Sequence, residues 1–161
     1  MKLEVVIFLL LRFFFSQGNA SLKTDKYAGS YDFGTSRTGN GSMDIYPETD
    51  STILFYVQLN RGAPSYNMGE RIGRVLIKSD SGSYRSGNPG DAAGCAWSFR
   101  FSKKRLTVKT VLPEYNCGFG FGVFADGVFK RRTTTVPEYY TDLDGKTIYF
   151  NTLTQEQFDN Q

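Results

Sequence analysis

The chain predicts an all-β protein, a single small antiparallel up-and-down β-barrel of about eight strands. Three observations carry this. Aromatic residues make up 16% of the 161 residues, and the 17 glycines punctuate them at turns. Short segments alternate apolar and polar side chains with the period of a half-buried strand. Breaker clusters recur between those segments at hairpin distances. Antiparallel strands this short need protected edges, which a closed barrel or two packed sheets supply. A β-sandwich is therefore the alternative, because a period of two does not separate them.

Residues 1–20 read as a cleavable secretory signal. Lys2 gives a positive start, residues 5–15 are almost wholly apolar, and Gly18, Asn19 and Ala20 are small or polar. The apolar run is shorter than the roughly 20 residues of a membrane-spanning helix, and Arg12 interrupts it. Residues 21–161 are then expected to form one periplasmic or secreted domain with a frayed polar C-terminal tail. No stable membrane span is expected after cleavage. The formal net charge of the whole chain is only +3. Nucleic-acid partners require a dense basic surface, so none is expected.

Residues 27–33 set Tyr27, Gly29, Tyr31 and Phe33 on one face of a first strand. A loop rich in Gly, Ser, Thr and Asn is read over 34–42, then a short strand at 43–46 and a turn from Pro47 to Asp50. Residues 52–59 form the strongest strand, with Ile53, Phe55, Val57 and Leu59 inward and Leu54 and Tyr56 on an outer face that is not clean. Residues 60–70 are a long connection. A strand resumes at 71–78, a short one follows at 82–86, and 87–94 form a loop. Three strands are read at 95–101, 106–112 and 117–123. Ala125, Asp126 and Gly127 read as a hairpin turn, 128–132 lead away from it, and 146–150 are the last candidate.

The register of the cysteine-bearing hairpin can be worked out. If Phe101 faces Leu106, then Phe99 faces Val108, Trp97 faces Thr110 and Cys95 faces Leu112. Arg100 and Lys109 then fall on the opposite side, and a one-residue slip would bury charge. Continuing the pattern sets Leu112, Thr110, Val108 and Leu106 against Cys117, Phe119, Phe121 and Val123. Two cysteines in an exported chain favour a Cys95–Cys117 bridge; two buried thiols are the alternative. Two strand spacings, roughly 9–10 Å, exceed the reach of a disulfide, about 7 Å between Cα atoms. The bridge therefore requires the middle strand to end early, where Pro113 lacks an N–H. Cys117 is expected at a curled strand end, reaching over Leu112.

Candidate functional features are few. Gly118, Gly120 and Gly122 leave one face of their segment bare, either for close approach of a backbone, ring or ligand, or for a sharp barrel bend. Lys103, Lys104 and Arg105, with Lys130, Arg131 and Arg132, could meet an acidic protein or anionic polymer, or could guard strand edges against pairing. In the connection 60–70, Arg61, Tyr66 and Met68 are residue types common at protein interfaces; an ordinary crossover is the alternative. Catalysis has little support. There is no histidine, the cysteines are expected to be oxidised, and no paired-carboxylate, metal or cofactor pattern is found. Asp142, Asp144 and Gly145 match only part of a calcium loop.

The segment from Cys95 to Lys130, with its Cys117-Gly-Phe-Gly-Phe-Gly run, resembles one found in small exported bacterial proteins. The opening Tyr27-Ala-Gly-Ser-Tyr31 is similar to the first strand of such domains. In some of them the domain lies beside modules related to lysozyme inhibitors. The resemblance covers about a quarter of the chain and implies an exported β-domain without catalysis. It carries over no functional residue. Ser81 to Arg85 only faintly echo the inhibitory loop of the periplasmic barrel inhibitors.

The functional expectation is a monomeric, non-catalytic binding module for an envelope or extracellular protein, such as an inhibitor of a wall-active enzyme. A lipocalin-like carrier of a small apolar ligand is one alternative. A structural or surface-assembly role is another. A filled interior beneath a protruding loop favours the binder, and an internal cavity favours the carrier.

Overall fold

Eight antiparallel strands close on themselves in chain order in a computed structural model that describes residues 21–35, 37–86, 94–111, 117–154 and 157–158. They are β1 (Gly29–Thr35), β2 (Gly39–Pro47), β3 (Thr52–Asn60), β4 (Met68–Lys78), β5 (Ser81–Arg85), β6 (Ala96–Ser102), β7 (Arg105–Thr110) and β8 (Gly127–Arg131). The wall closes where β8 returns to β1, with Tyr31 opposite Arg131 and Asp32 opposite Lys130. The architecture is the up-and-down barrel, not the sandwich.

Alternation fixes which side chains fill it. Tyr31, Met43, Ile45, Phe55, Val57, Trp97, Phe99, Leu106 and Phe129 are all buried inside. The Phe55 ring lies 5.0 Å from Tyr84, 5.7 Å from Trp97 and 5.2 Å from Phe99. Burying each such side chain contributes about 1.5–3 kcal/mol. The β6–β7 register is the predicted one: Trp97 opposes Thr110, Phe99 opposes Val108 and Phe101 opposes Leu106. The expected pairing of Cys95 with Leu112, and the place of Pro113, lie outside the described residues.

Three expectations are corrected. Residues 117–123 are not a strand: the neighbour of β7 is β8, with Leu106 opposite Phe129 and Val108 opposite Gly127. Gly118 and Gly122 adopt φ of 72° and 75°, which an extended strand does not use. Ala125–Gly127 consequently end a long connection instead of turning a hairpin, and Asp126 accepts bonds from the backbone N–H and hydroxyl of Thr110. The segment 34–42 is mostly strand, since β1 and β2 stay paired out to Thr35 and Gly39. Its small polar residues lie near the barrel rim, where an apolar inner face is not needed.

The last strand candidate also takes another place. β9 (Tyr139–Thr141) and β10 (Thr147–Tyr149) form a separate hairpin outside the barrel. It lays Tyr140 and Phe150 over Leu54, Tyr56 and Ile72, with Tyr46, Leu153 and Phe158 packed alongside. This explains the apolar outer face of β3. Residues 155–156 and 159–161 of the tail lie outside the described residues.

The two poles of the barrel differ. One carries the short turns 48–51, 79–80 and 103–104, together with a 3-10 turn at Asp25–Tyr27 whose Tyr27 ring packs 4.5 Å from Phe101. The other carries 61–67 and, among the described residues, the ends of two longer connections between barrel strands, at Ser86, 94–95, Val111 and 117–126. Loops on a rigid scaffold are where binding residues concentrate.

Candidate functional site

The long-loop pole is assembled from two connections that bind each other. The first, residues 61–67, is closed on itself. The Arg61 N–H donates to the Asn67 carbonyl at 2.8 Å, and the Tyr66 N–H donates to the Gly62 carbonyl at 2.8 Å. The Asn60 side chain accepts from the Gly62 N–H at 2.6 Å. Tyr66 takes φ of 51°, a left-handed conformation that turns its ring outward.

The second is the stretch from Cys117 to Asp126 that leads into β8. Cys95 and Cys117 lie at disulfide distance, Sγ–Sγ 2.07 Å and Cα–Cα 4.6 Å, so the approach to β6 is tied to the start of this loop. The Gly120 N–H donates to the Met68 carbonyl at 3.1 Å. The Asn67 side-chain amide donates to the Phe121 carbonyl at 2.8 Å, and the Arg61 guanidinium reaches the same oxygen at 3.5 Å. That guanidinium also lies over the Phe121 ring, 5.3 Å from its centre, a contact of about 0.5–1 kcal/mol at an exposed position.

Gly120 makes the junction possible. A Cβ there would lie 2.9 Å from Asn67 Cβ and 3.0 Å from the Met68 carbonyl oxygen. The bare glycine face thus receives another backbone, the close-approach reading, and does not bend a barrel strand.

These contacts leave a compact exposed surface. Phe121 is 82% exposed, Tyr66 59% and Met68 44%, with Arg61 between the two loops. Phe121 was expected to point inward and points to solvent. Its neighbours Phe119 and Val123 turn toward the core instead. Phe119 lies 5.8 Å from Trp97 and covers Gly69, where a Cβ would meet its ring at 2.4 Å. It fills a seam in the wall, because β4 pairs with β5 only from Leu76 to Lys78.

Beneath the seam Arg71 points into the barrel. One of its nitrogens donates to the Cys117 carbonyl, and its Nε has no partner among the described residues. Sequence reasoning missed both Asn67 and Phe121. The alternation of Gly with Phe was the available signal, and it was read as a strand.

Two grooves flank the site. One of about 470 Å³ is lined by Phe33, Asn40, Leu59, Asn60 and Met68, so Met68 belongs to groove and loop surface alike. Another of about 300 Å³ is lined by Tyr56, Glu70, Arg71, Gly118, Tyr140 and Asp142. There the Tyr56 hydroxyl donates to Glu70 at 2.5 Å. Burial, then the Glu70 carboxylate, pushes that hydroxyl's pKa well up. Tyr140, stacked 4.0 Å from Tyr56, is pushed up to about 12 by burial and by Asp142 and Glu70. Both phenols therefore stay protonated at neutral pH and offer O–H donors, not bases.

Among the described residues no group of three or more His, Cys, Asp or Glu side chains is placed to hold a metal ion. Asp142 instead accepts from the backbone N–H groups of Asp144 and Lys146, closing the β9–β10 turn. Among the described residues no helix is long and apolar enough to cross a membrane. No protein-family model, curated protein or solved structure matches the chain.

Proposed function

We propose that the protein is an exported, non-catalytic binding module that engages a protein of the cell envelope or its surroundings through the paired loops 61–67 and 117–124. The observation that carries this reading is the cluster of Arg61, Tyr66 and Phe121, held out on loops that are bonded to each other, with Met68 at the adjoining start of β4, above a filled interior. Exposed aromatic rings and an arginine on a preordered support are the features that dominate binding energy at protein interfaces. Ordering takes place during folding, so less entropy is lost when a partner arrives.

The barrel interior bears on the carrier alternative. Large side chains from every barrel strand occupy it, which leaves the long-loop pole as the better candidate for recognition than the lumen. The Cys95–Cys117 pair supports an oxidising compartment, in line with export directed by residues 1–20. Inhibition of a wall-active enzyme is the most concrete form of the proposal.

The test compares residues 21–161 with the Arg61→Ala/Tyr66→Ala/Phe121→Ala variant, each immobilised and exposed to the same envelope extract. The proposal expects a partner whose capture falls by about a hundredfold in the variant, the combined effect of two or three hot-spot truncations. Equal capture of every protein by both would overturn it.

A further inference from the structure

The two basic triplets of the sequence, far apart in the chain, meet on the barrel wall. Arg105 on β7 pairs with Lys130 on β8. Arg100 on β6 lies opposite Thr107, so it is one diagonal step from both Arg105 and Lys109. Arg100, Arg105, Lys109 and Lys130 are all exposed. Neighbouring charges on such a face are roughly 5–8 Å apart at their Cβ atoms.

The triplets are not equivalent throughout. Arg131 donates to the carbonyls of Lys26 and Ala28, and Arg132 pairs with Asp32 at 2.8 Å. Those two serve the fold. By contrast, among the described residues Arg100, Arg105 and Lys109 make no ion pair. The segments β5, β6 and β7 contain no aspartate or glutamate at all.

Basic residues on strands commonly protect an exposed edge from pairing with another chain. That explanation fails here, because the barrel has no edge at this place. β7 is bonded to both β6 and β8, and β8 is bonded to both β7 and β1. Solubility does not account for the arrangement either. The chain is nearly balanced in charge, and a mixed surface would serve solubility equally well. The outward face of β5–β7 carries cations and no carboxylate.

The chemistry of that wall selects among polyanions. No aromatic side chain projects outward from β5, β6 or β7, so bases of single-stranded nucleic acid find nothing to stack on. Among the exposed outward positions of β5–β8 only Val128 is a large apolar side chain, too little to enter a bilayer. Beside the cations stand the hydroxyls of Ser81 and Thr107, which flank Arg100 on the two neighbouring strands, and of Ser83, which suit alternating carboxylate and hydroxyl groups. We propose that the outer face of β5–β8 binds a linear acidic polysaccharide, independently of the loop surface at the long-loop pole.

The probe is polygalacturonate, a linear uronate polymer, titrated into residues 21–161 at low and high salt. Neutral dextran, a thymidine oligonucleotide and vesicles containing anionic lipid are run beside it. The expected result is salt-sensitive binding of polygalacturonate above all three. It falls about tenfold or more in Arg100→Thr/Arg105→Thr/Lys109→Thr, because three exposed charge contacts are lost. A charge-matched variant, Lys23→Thr/Arg37→Thr/Lys146→Thr, keeps the binding. Circular dichroism and the thermal midpoint check that both variants fold. Absence of polygalacturonate binding, equal loss in the two variants, or preference for the oligonucleotide or the vesicles would each overturn the proposal.

Discussion

Asn67 and Phe121, 54 residues apart, are joined by one 2.8 Å hydrogen bond from a side-chain amide to a main-chain carbonyl. This bond, the Gly120–Met68 bond and the Arg61–Phe121 contact make a single platform of two loops. Gly120→Ala should pry that platform open, because its Cβ meets a backbone carbonyl and Asn67 Cβ inside contact distance. The barrel should persist with a loss of about 1–2 kcal/mol. Amide hydrogen exchange at 61–67 and 117–124 should quicken while β6 and β7 keep their protection. Unchanged exchange in the two loops would contradict the described junction.

The two cysteines lie 22 positions apart in the chain. Replacing both cysteines with alanine should lower unfolding free energy by about 3 kcal/mol, mainly by freeing the unfolded chain. Urea denaturation of the variant, and of the parent with and without reductant, measures this. Equal midpoints in all three would show that the bridge adds nothing.

The β9–β10 hairpin acts as a clamp on the outside of β3 and β4. Phe150 is buried there, with its ring 5.3 Å from both Tyr46 and Tyr140. Phe150→Ala should cost about 3 kcal/mol and uncover Leu54, Tyr56 and Ile72. Binding of a hydrophobic dye to the folded variant should rise. A variant as stable as the parent would mean that the clamp is dispensable.

Asp44 supplies a pH test. Its carboxyl pKa is raised from the ordinary 3.8 by burial, which outweighs the bond from Ser30; Asp32 nearby adds to the rise. The folded state therefore favours the protonated form. That preference is fully present below about 3.8 and is lost as pH rises through the folded pKa, so an ionised Asp44 burdens the neutral protein. Asp44→Asn should be more stable than the parent at neutral pH, and the gain should vanish in strong acid. Denaturation curves at several pH values decide it, and a gain independent of pH would assign it to another cause.

Much of the barrel was legible because period two is visible wherever one face is dry. The β6–β7 register followed from keeping Arg100 and Lys109 out of the core. It failed at 117–123 because Phe alternating with Gly mimics a strand, whereas Gly118 and Gly122 use left-handed φ that only the folded loop reveals. On β4 it picks out 71–78 and misses Met68–Glu70. There the inward residues run Gly69, Arg71, Gly73, and the glycines are hollows for the Phe119 and Tyr84 rings. A sequence shows the hollow but not the ring that fills it. The contact loop was suspected from residue types alone, and its partner loop needed the fold.

The polarity of the barrel has a topographic consequence for anything attached ahead of residue 21. Lys23 and Thr24 are bonded to Asp50 and Thr49, and Lys26 to Asp80, all on the short-turn pole. A preceding segment, whether an anchor or a fused carrier, would leave the molecule there. Tethered at that pole, the barrel would stand on its base like a post and carry Tyr66 and Phe121 at the far tip, away from the surface that holds it.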